Sequence, residues 1–433
     1  MGGALLLEAV MALCYSFVIV ATYLAGAHWS RAAGILAAGL LVLYPPYSSI
    51  FHFVATEALF STFLIGWLLF TVATLRTPRL WHFALHGGFI ALLVLTRPSG
   101  QMLLGFVLFP LLLPGLVWWR RSVAALLVLG VAQAVLFGWA SYNSIRYDDF
   151  TVSRGSAAVV PLYRAFVVDR IVQPSNGPAT AELARLVEQE LLIQEPYTTY
   201  NIDLETFFSS GSTLMWADLV SLSDRVWGWE SDYAQLREVG IEAVQAHLPF
   251  YLEETFWRSL ELFAVHNLPP LVRVTEPPAP VYDEQGRRQA RDGQPIPYSY
   301  AYWHNSRPND RPAMTIAEDL VLRARLAAMF PELPQENGKA RVYRLLQLLT
   351  RTHPPMLAYI VLGVAGALLV RFRDWLPLSF FAAVCLAVPL IGWLGAAPVP
   401  EHAIPIYPVL FLFGVLGGLH LAHRMLGKRY SAD

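Results

Sequence analysis

Residues 51–97 read FHFVATEALFSTFLIGWLLFTVATLRTPRLWHFALHGGFIALLVLTR, and their pattern decides the class of fold. After Glu57 an apolar run continues to Leu75. Arg76 and Arg79 bracket a short turn, a second apolar run follows to Leu95, and Thr96-Arg97-Pro98 closes it. Apolar runs of about 17 to 23 residues can cross a bilayer as helices. A helical hairpin built on this pair returns Glu57 and Arg97 to one membrane face. Charge at that boundary is costly unless it is paired or used, so the two residues make a seat for an anionic lipid head group.

The same reading extends to about nine spans. They fall near residues 4–26, 33–50, 57–75, 81–96, 101–118, 122–142, 354–371, 376–396 and 405–423. With 55% hydrophobic and 15% charged residues, the composition is that of a polytopic, all-α membrane protein. The expected organisation is a bundle of about six spans over 1–142, a large, mainly helical outer domain over 143–353, and about three spans with a short tail over 354–433. A net charge of −1 gives no footing for a nucleic-acid partner. Cys14 and Cys385 both lie in apolar runs, which supports neither a disulfide framework nor a zinc site.

Arginine bias sets the expected orientation. Arg31, Arg76, Arg79, Arg120, Arg121, Arg371, Arg373, Arg424, Lys428 and Arg429 fall in one set of loops; the short loops of the opposite set hold Arg97 alone. By the positive-inside rule the first set is cytoplasmic, and 143–353 is outside. The N-terminus then lies outside with no basic flank, and Glu8 sits within the first span. That arrangement leads us to expect a preceding helix and loop.

In the outer domain, helical periodicity covers about 179–194, 232–246, 249–264, 315–329 and 338–352. Segment 249–264 carries Phe250, Leu252, Phe256, Trp257, Leu260 and Phe263 broadly along one face, a pattern suited to a membrane surface. Residues 268–312 are dense in Pro, Gly, Asp and Arg and read as an irregular loop. No internal repeat is visible.

Several stretches in order, RAAGILAAGLLVLYPPYSSIFHFVATEALFSTFLIGWLLF, GGFIALLVLTRPSG, SYNSIRYDDFTVSRGS, AVQAHLPFYLEETFWRSLELF and EHAIPIYPVLFLF, resemble polyprenyl-phosphate-sugar-dependent glycosyltransferases of the GT-C fold, the relatives of protein O-mannosyltransferases and aminoarabinose transferase. Each piece alone is weakly specific; the ordered set is more so. The resemblance implies a bacterial cytoplasmic-membrane enzyme. It would move a sugar from a polyprenyl phosphate to a glycan, lipid or protein acceptor on the outer face, with inversion. It also leaves room for a divalent cation, Mg²⁺ or Mn²⁺. The family's first outer loop, with its essential acid, has no counterpart in this sequence.

The resemblance makes Glu57 a catalytic or metal-holding carboxylate, with His52 nearby; oxygen ligands suit a hard cation bridging phosphate. Alternatively, Glu57 simply complements its helix dipole, a contribution of about 0.3–1 kcal/mol. Arg97 matches a Thr-basic-Pro motif read as a lipid-phosphate ligand, since a guanidinium offers paired donors in one plane. Otherwise it is an interfacial arginine on ordinary lipid. Glu401 and His402 occupy the last outer loop, where the family often has Arg; a histidine there makes a phosphate grip pH-sensitive. Asp148 and Asp149 are substitute bases or, more commonly for such a pair, a turn or cap. Trp303 and His304 suit a sugar face or plain surface packing. Two rivals remain: an inactive scaffold of envelope-glycan assembly, or a transporter or flippase component. A transporter should carry ionisable residues near mid-membrane in repeated halves, and neither is read here.

Overall fold

The computed structural model describes residues 2–52, 56–113, 116–153, 161–194, 197–198, 201–228, 231, 233–265, 281–282, 288–289, 338–369, 375–395 and 400–426. It is helical almost throughout, apart from a two-residue antiparallel pair, Val281–Tyr282 with Arg288–Gln289. Among the described residues, six helical stretches are long and apolar enough to cross a membrane: Leu6–Ala27, Thr56–Arg76, Trp118–Tyr147, Arg344–Leu369, Trp375–Gly395 and Ile404–Met425. The chain is therefore an all-α, multi-pass membrane protein.

Two expected spans take other forms. Helix α1 (Gly2–Ala27) turns through Ser30, whose hydroxyl accepts from the Ala33 N–H and caps α2 (Arg31–Val42). The expected span over 33–50 then breaks: α2 and the segment Pro45–His52, which contains α3 (Pro45–Ser49), meet at 66°. Pro45 and Pro46 supply no N–H, so they can open a new helix but not continue the old one. After α4 (Thr56–Arg76) and α5 (Leu80–Thr96), the expected span over 101–118 is instead a 3₁₀ helix over Pro98–Leu112. Gly100 lets it start hard against α5, because a Cβ there would lie 2.8 Å from the Leu93 carbonyl oxygen. Helix α6 (Trp118–Tyr147) follows.

Beyond α6 a second hydrophobic core forms, separate from that of the bundle, from residues such as Leu162, Phe166, Leu183, Phe207, Leu219 and Leu236. This lobe comprises a π-helical turn (Arg164–Val168), α7 (Pro178–Leu186) with its π extension Val187–Leu191, α8 (Leu204–Ser209), α9 (Thr213–Trp227) and α10 (Ala234–Ala246). Helices α8 and α9 fall outside the segments expected from periodicity. Helix α11 (Leu248–Ala264) buries the stripe Tyr251, Thr255, Ser259 and Phe263, while Leu252, Phe256 and Trp257 point outward. The helix expected over 315–329 lies outside the described residues.

The chain returns to the bundle through α12 (Gly338–Thr352), α13 (Met356–Leu369) and α14 (Trp375–Gly395), then α15 (Pro400–Ala403), a 3₁₀ turn (Ile404–Ile406) and α16 (Tyr407–Met425). Helix α16 is buried from Tyr407 through Gly417. It crosses α13 at glycine: a Cβ on Gly366 would lie 2.5 Å from the Gly417 Cα, and one on Gly417 would overlap the Leu362 carbonyl. Within a membrane, where apolar burial between helices gains little, such close backbone approach supplies the packing energy.

Candidate functional site

The helical hairpin delivers what residues 51–97 lead one to expect. Pro98 forces Arg97 out of the helical region into an extended conformation (φ −149°, ψ 126°), ending α5 there. Glu57 occupies the first turn of α4. Arg97 Nη1 lies 3.1 Å from Glu57 Oε1, with the two side chains 13% and 18% exposed. Some forty residues of chain thus close on one ion pair at one end of the bundle.

A third element joins them. His402, on α15, is half-buried, and burial with the nearby Arg97 charge pushes its pKa down to about 4. The imidazole is therefore neutral at physiological pH. It offers Arg97's surroundings a hydrogen-bonding group without a second positive charge, and the pH sensitivity expected of it is moved to acid.

The placement of α15 rests on residues the sequence reading passed over. Ser61, one turn beyond Glu57 on the same face of α4, donates to the Pro405 carbonyl at 2.9 Å, and its oxygen lies 2.6 Å from the Tyr47 hydroxyl. The one serine proton goes to Pro405, so Tyr47 is the donor to Ser61. Both side chains are fully buried. The Pro45-Pro46 break sets Tyr47 there, and the chain Tyr47–Ser61–Pro405 ties α3, α4 and the turn after His402 together. A polar residue four positions after Glu57 in an apolar run was the available signal.

The other candidates do not all converge. His52 ends the 3₁₀ turn Ile50–His52 and is exposed. Asp148 is the left-handed C-cap of α6 (φ 55°), its N–H bonded to the Ser144 carbonyl at 3.0 Å, and Asp149 sits in the turn that follows. That is the structural role such a pair commonly has. Glu401 shares α15 with His402, but its side chain lies outside the described residues, as do Trp303 and His304 entirely. Among the described residues no three His, Cys, Asp or Glu side chains gather as a metal cage.

Two cavities lie in the bundle. A cleft of about 320 Å³ lies beside the Arg97 segment, between Val94, Gln101 and Leu104 on one side and Gln133, Leu136 and Ala140 of α6 on the other. An apolar groove of about 740 Å³ runs between α1, α4 and α5. Its α4 residues Thr62, Gly66 and Ala73 lie about 140–180° around the helix from Glu57, so this groove opens away from the ion pair.

What fold and site define is a class: a multi-pass, all-α membrane protein with a separate helical lobe and a paired Glu–Arg at one end of its bundle. No protein-family model, curated protein or solved structure matches the chain.

Proposed function

We propose that this protein is a membrane glycosyltransferase of the GT-C type, moving a sugar from a polyprenyl phosphate to an acceptor at the outer face of a bacterial cytoplasmic membrane. The observation that carries the reading is the 3.1 Å contact between Glu57 and Arg97. The order of segments resembling that family supports it. Besides the six long helices, two shorter ones have the length of a crossing. The 15-residue 3₁₀ helix rises about 2.0 Å per residue, or about 30 Å, which matches a hydrocarbon core. Helix α5, with 17 residues, reaches about 26 Å. The 161–251 lobe then lies on the extracytoplasmic side with the ion pair.

In this reading the donor's phosphate takes the Arg97 guanidinium from Glu57. The arginine offsets charge as it grows on the leaving phosphate. Glu57, released from its partner, accepts the proton of the acceptor hydroxyl as that oxygen attacks the anomeric carbon. The bond from that carbon to the phosphate oxygen breaks, and its electron pair stays with the lipid phosphate. The first isoprene units occupy the cleft beside Val94 and Leu104. If the donor brings a divalent cation, Glu57 would be the carboxylate to hold it, and the cation would offset charge on the phosphate.

The test is donor turnover by the protein in nanodiscs with polyprenyl-phosphate sugars. Arg97→Ala and Glu57→Gln are expected to lower turnover by at least about 100-fold. Parent-like rates in both variants would remove the assignment. A scaffold role has one observation in its favour, that Glu57 is already engaged by Arg97. Phosphate-lipid binding with no turnover of any donor would favour it.

A further inference from the structure

Side chains spread along α11 converge on the last turn of α14. The Tyr251 hydroxyl donates to the Leu394 carbonyl at 2.6 Å. Thr255 Oγ1 accepts at 2.7 Å from the buried Arg164, whose other Nη donates to the Trp393 carbonyl. The Phe263 ring centroid lies 5.5 Å from that of Trp393. Tyr251 and Phe263 stand about 18 Å apart along the helix axis. Helices that run side by side touch over matching lengths. Here that stretch of α11 meets two consecutive residues of α14, so α11 crosses the end of α14 at a steep angle. Helix α14 is long and apolar enough to span a membrane, which lays α11 close to the membrane plane. It lies at the end of α14 opposite the start, which Arg371 and Arg373 precede in the sequence.

The outward face of α11 is bare. Phe256 and Trp257 are 61% and 56% exposed, and Phe250 and Leu252 are exposed beside them. Glu253 is exposed too, one turn from Pro249, Phe250, Phe256 and Trp257. Among the described residues no cation pairs with it: Arg258 is held by Glu254 at 2.7 Å and lies 3.9 Å from Asp169. A contiguous aromatic patch is unfavourable in water, and a lone carboxylate is costly in hydrocarbon. The head-group layer satisfies both, since rings can enter the acyl boundary while the acid stays level with charged groups. Interfacial helices commonly attract anionic lipid through Lys and Arg. Here the outward charges are the acids Glu253 and Glu261, which repel a net-negative head group and suit an ammonium. The Trp257 ring beside Glu253 adds a second favourable contact for such a cation.

We propose that α11 is an in-plane, membrane-surface helix whose patch around Phe256 binds zwitterionic lipid of the phosphatidylethanolamine type, with Glu253 holding the head-group ammonium. Tyr251 belongs to the core of the lobe and Phe263 to that of the bundle, so this one helix seats the lobe on the bilayer. The proposal requires that α14 cross the membrane and is independent of the reaction performed at Glu57 and Arg97.

The experiment is spin-label depth measurement on the full chain in nanodiscs. The two native cysteines are replaced (Cys14→Ser, Cys385→Ala), and a nitroxide is placed at Phe256→Cys, at Trp257→Cys or, as a lobe-surface control, at Glu205→Cys. Collisions with oxygen, which partitions into lipid, are compared with collisions with a water-soluble nickel chelate. In discs of phosphatidylethanolamine and phosphatidylcholine, the labels at 256 and 257 are expected about 5–10 Å below the phosphate level, and the label at 205 in water. Replacing the phosphatidylethanolamine by phosphatidylglycerol should move the 256 label outward, and Glu253→Gln should abolish that difference. Nickel-favoured collisions at 256 and 257 in every lipid would put the patch in water and overturn the proposal. Shielding from both reagents would overturn it as well, since the patch would then be covered by protein, whether another part of this chain or a second copy. Equal depth in the two lipid mixtures would overturn the head-group assignment. No donor or acceptor is used, so none of these results bears on glycosyl transfer.

Discussion

Replacing Glu57 by glutamine should tighten the protein's grip on a lipid phosphate. Arg97 Nη1 and Glu57 Oε1 are 3.1 Å apart, and both side chains are less than a fifth exposed. At an effective dielectric constant of about 20, unit charges at that distance attract by about 5 kcal/mol. Loss of solvation on both partners offsets most of this, leaving a net coupling of about 1–2 kcal/mol. An incoming phosphate must overcome that coupling to reach Arg97. Glutamine keeps the shape and removes the charge, so undecaprenyl phosphate should bind about 5- to 30-fold more tightly to Glu57→Gln than to the parent. Arg97→Ala should weaken binding, and in that background Glu57→Gln should add nothing. The assay is titration of the lipid phosphate into nanodisc-held protein without divalent cations, followed by intrinsic tryptophan fluorescence. Weaker binding in Glu57→Gln under those conditions would show that the carboxylate helps hold the phosphate rather than competing with it. The exchange of partners at Arg97 would then be wrong.

Three further outcomes follow from particular contacts. Tyr47→Phe removes the donor to Ser61 and should cost about 1 kcal/mol, seen as a fall of about 2 °C in thermal unfolding, with a matching loss of donor affinity as α15 loosens. In the lobe, Glu242 caps α7, accepting from the N–H groups of Ala179 and Thr180 at 2.9 and 2.8 Å and from the Thr180 hydroxyl at 2.6 Å. Burial works to raise its pKa, but these donors overcome that and leave it below the ordinary 4.5. A depressed carboxyl stabilises the fold above its unfolded value and loses that contribution as pH falls through the folded one. Glu242→Gln should therefore cost about 0.5–1 kcal/mol at pH 7, and the gap to the parent should shrink in thermal-shift curves as pH falls below 4.5 and close once the folded carboxyl is protonated. Gly417→Ala forces a methyl into the Leu362 carbonyl and should cost about 1–3 kcal/mol, whereas Gly418→Ala, whose Cβ would rest 3.7 Å from the Leu362 side chain, should be neutral; size-exclusion profiles after graded heating separate the two.

The legible parts of the sequence were those governed by local physics. Apolar run length gave α1, α4, α6 and the C-terminal helices, because a segment that must satisfy its backbone in lipid has no alternative to a helix. Pro98 fixed the end of α5 and so the place of Arg97. Two local signals were present but misjudged in their effect. Pro45-Pro46 breaks its span instead of bordering it, and the segment holding Gly105 and Pro110 winds as a 3₁₀ helix, where hydropathy is blind to the winding. Helix α8 is too short to show a period, whereas α9 carries one, with Met215, Leu219 and Leu222 at helical spacing, that the sequence reading passed over.

Residue order was enough to show a chain of membrane helices with Glu57 and Arg97 returning to the same face, since a hairpin of two spans has only that geometry. Only the packed fold shows that they touch, and that the turn at Pro405 arrives from more than 300 positions away onto Ser61 and Tyr47. It also decided that Arg164 is buried against the end of α14. Hydropathy records how readily a residue leaves water. It carries no record of which distant carbonyl or carboxylate will replace that water, and for buried polar groups that replacement sets both stability and chemistry.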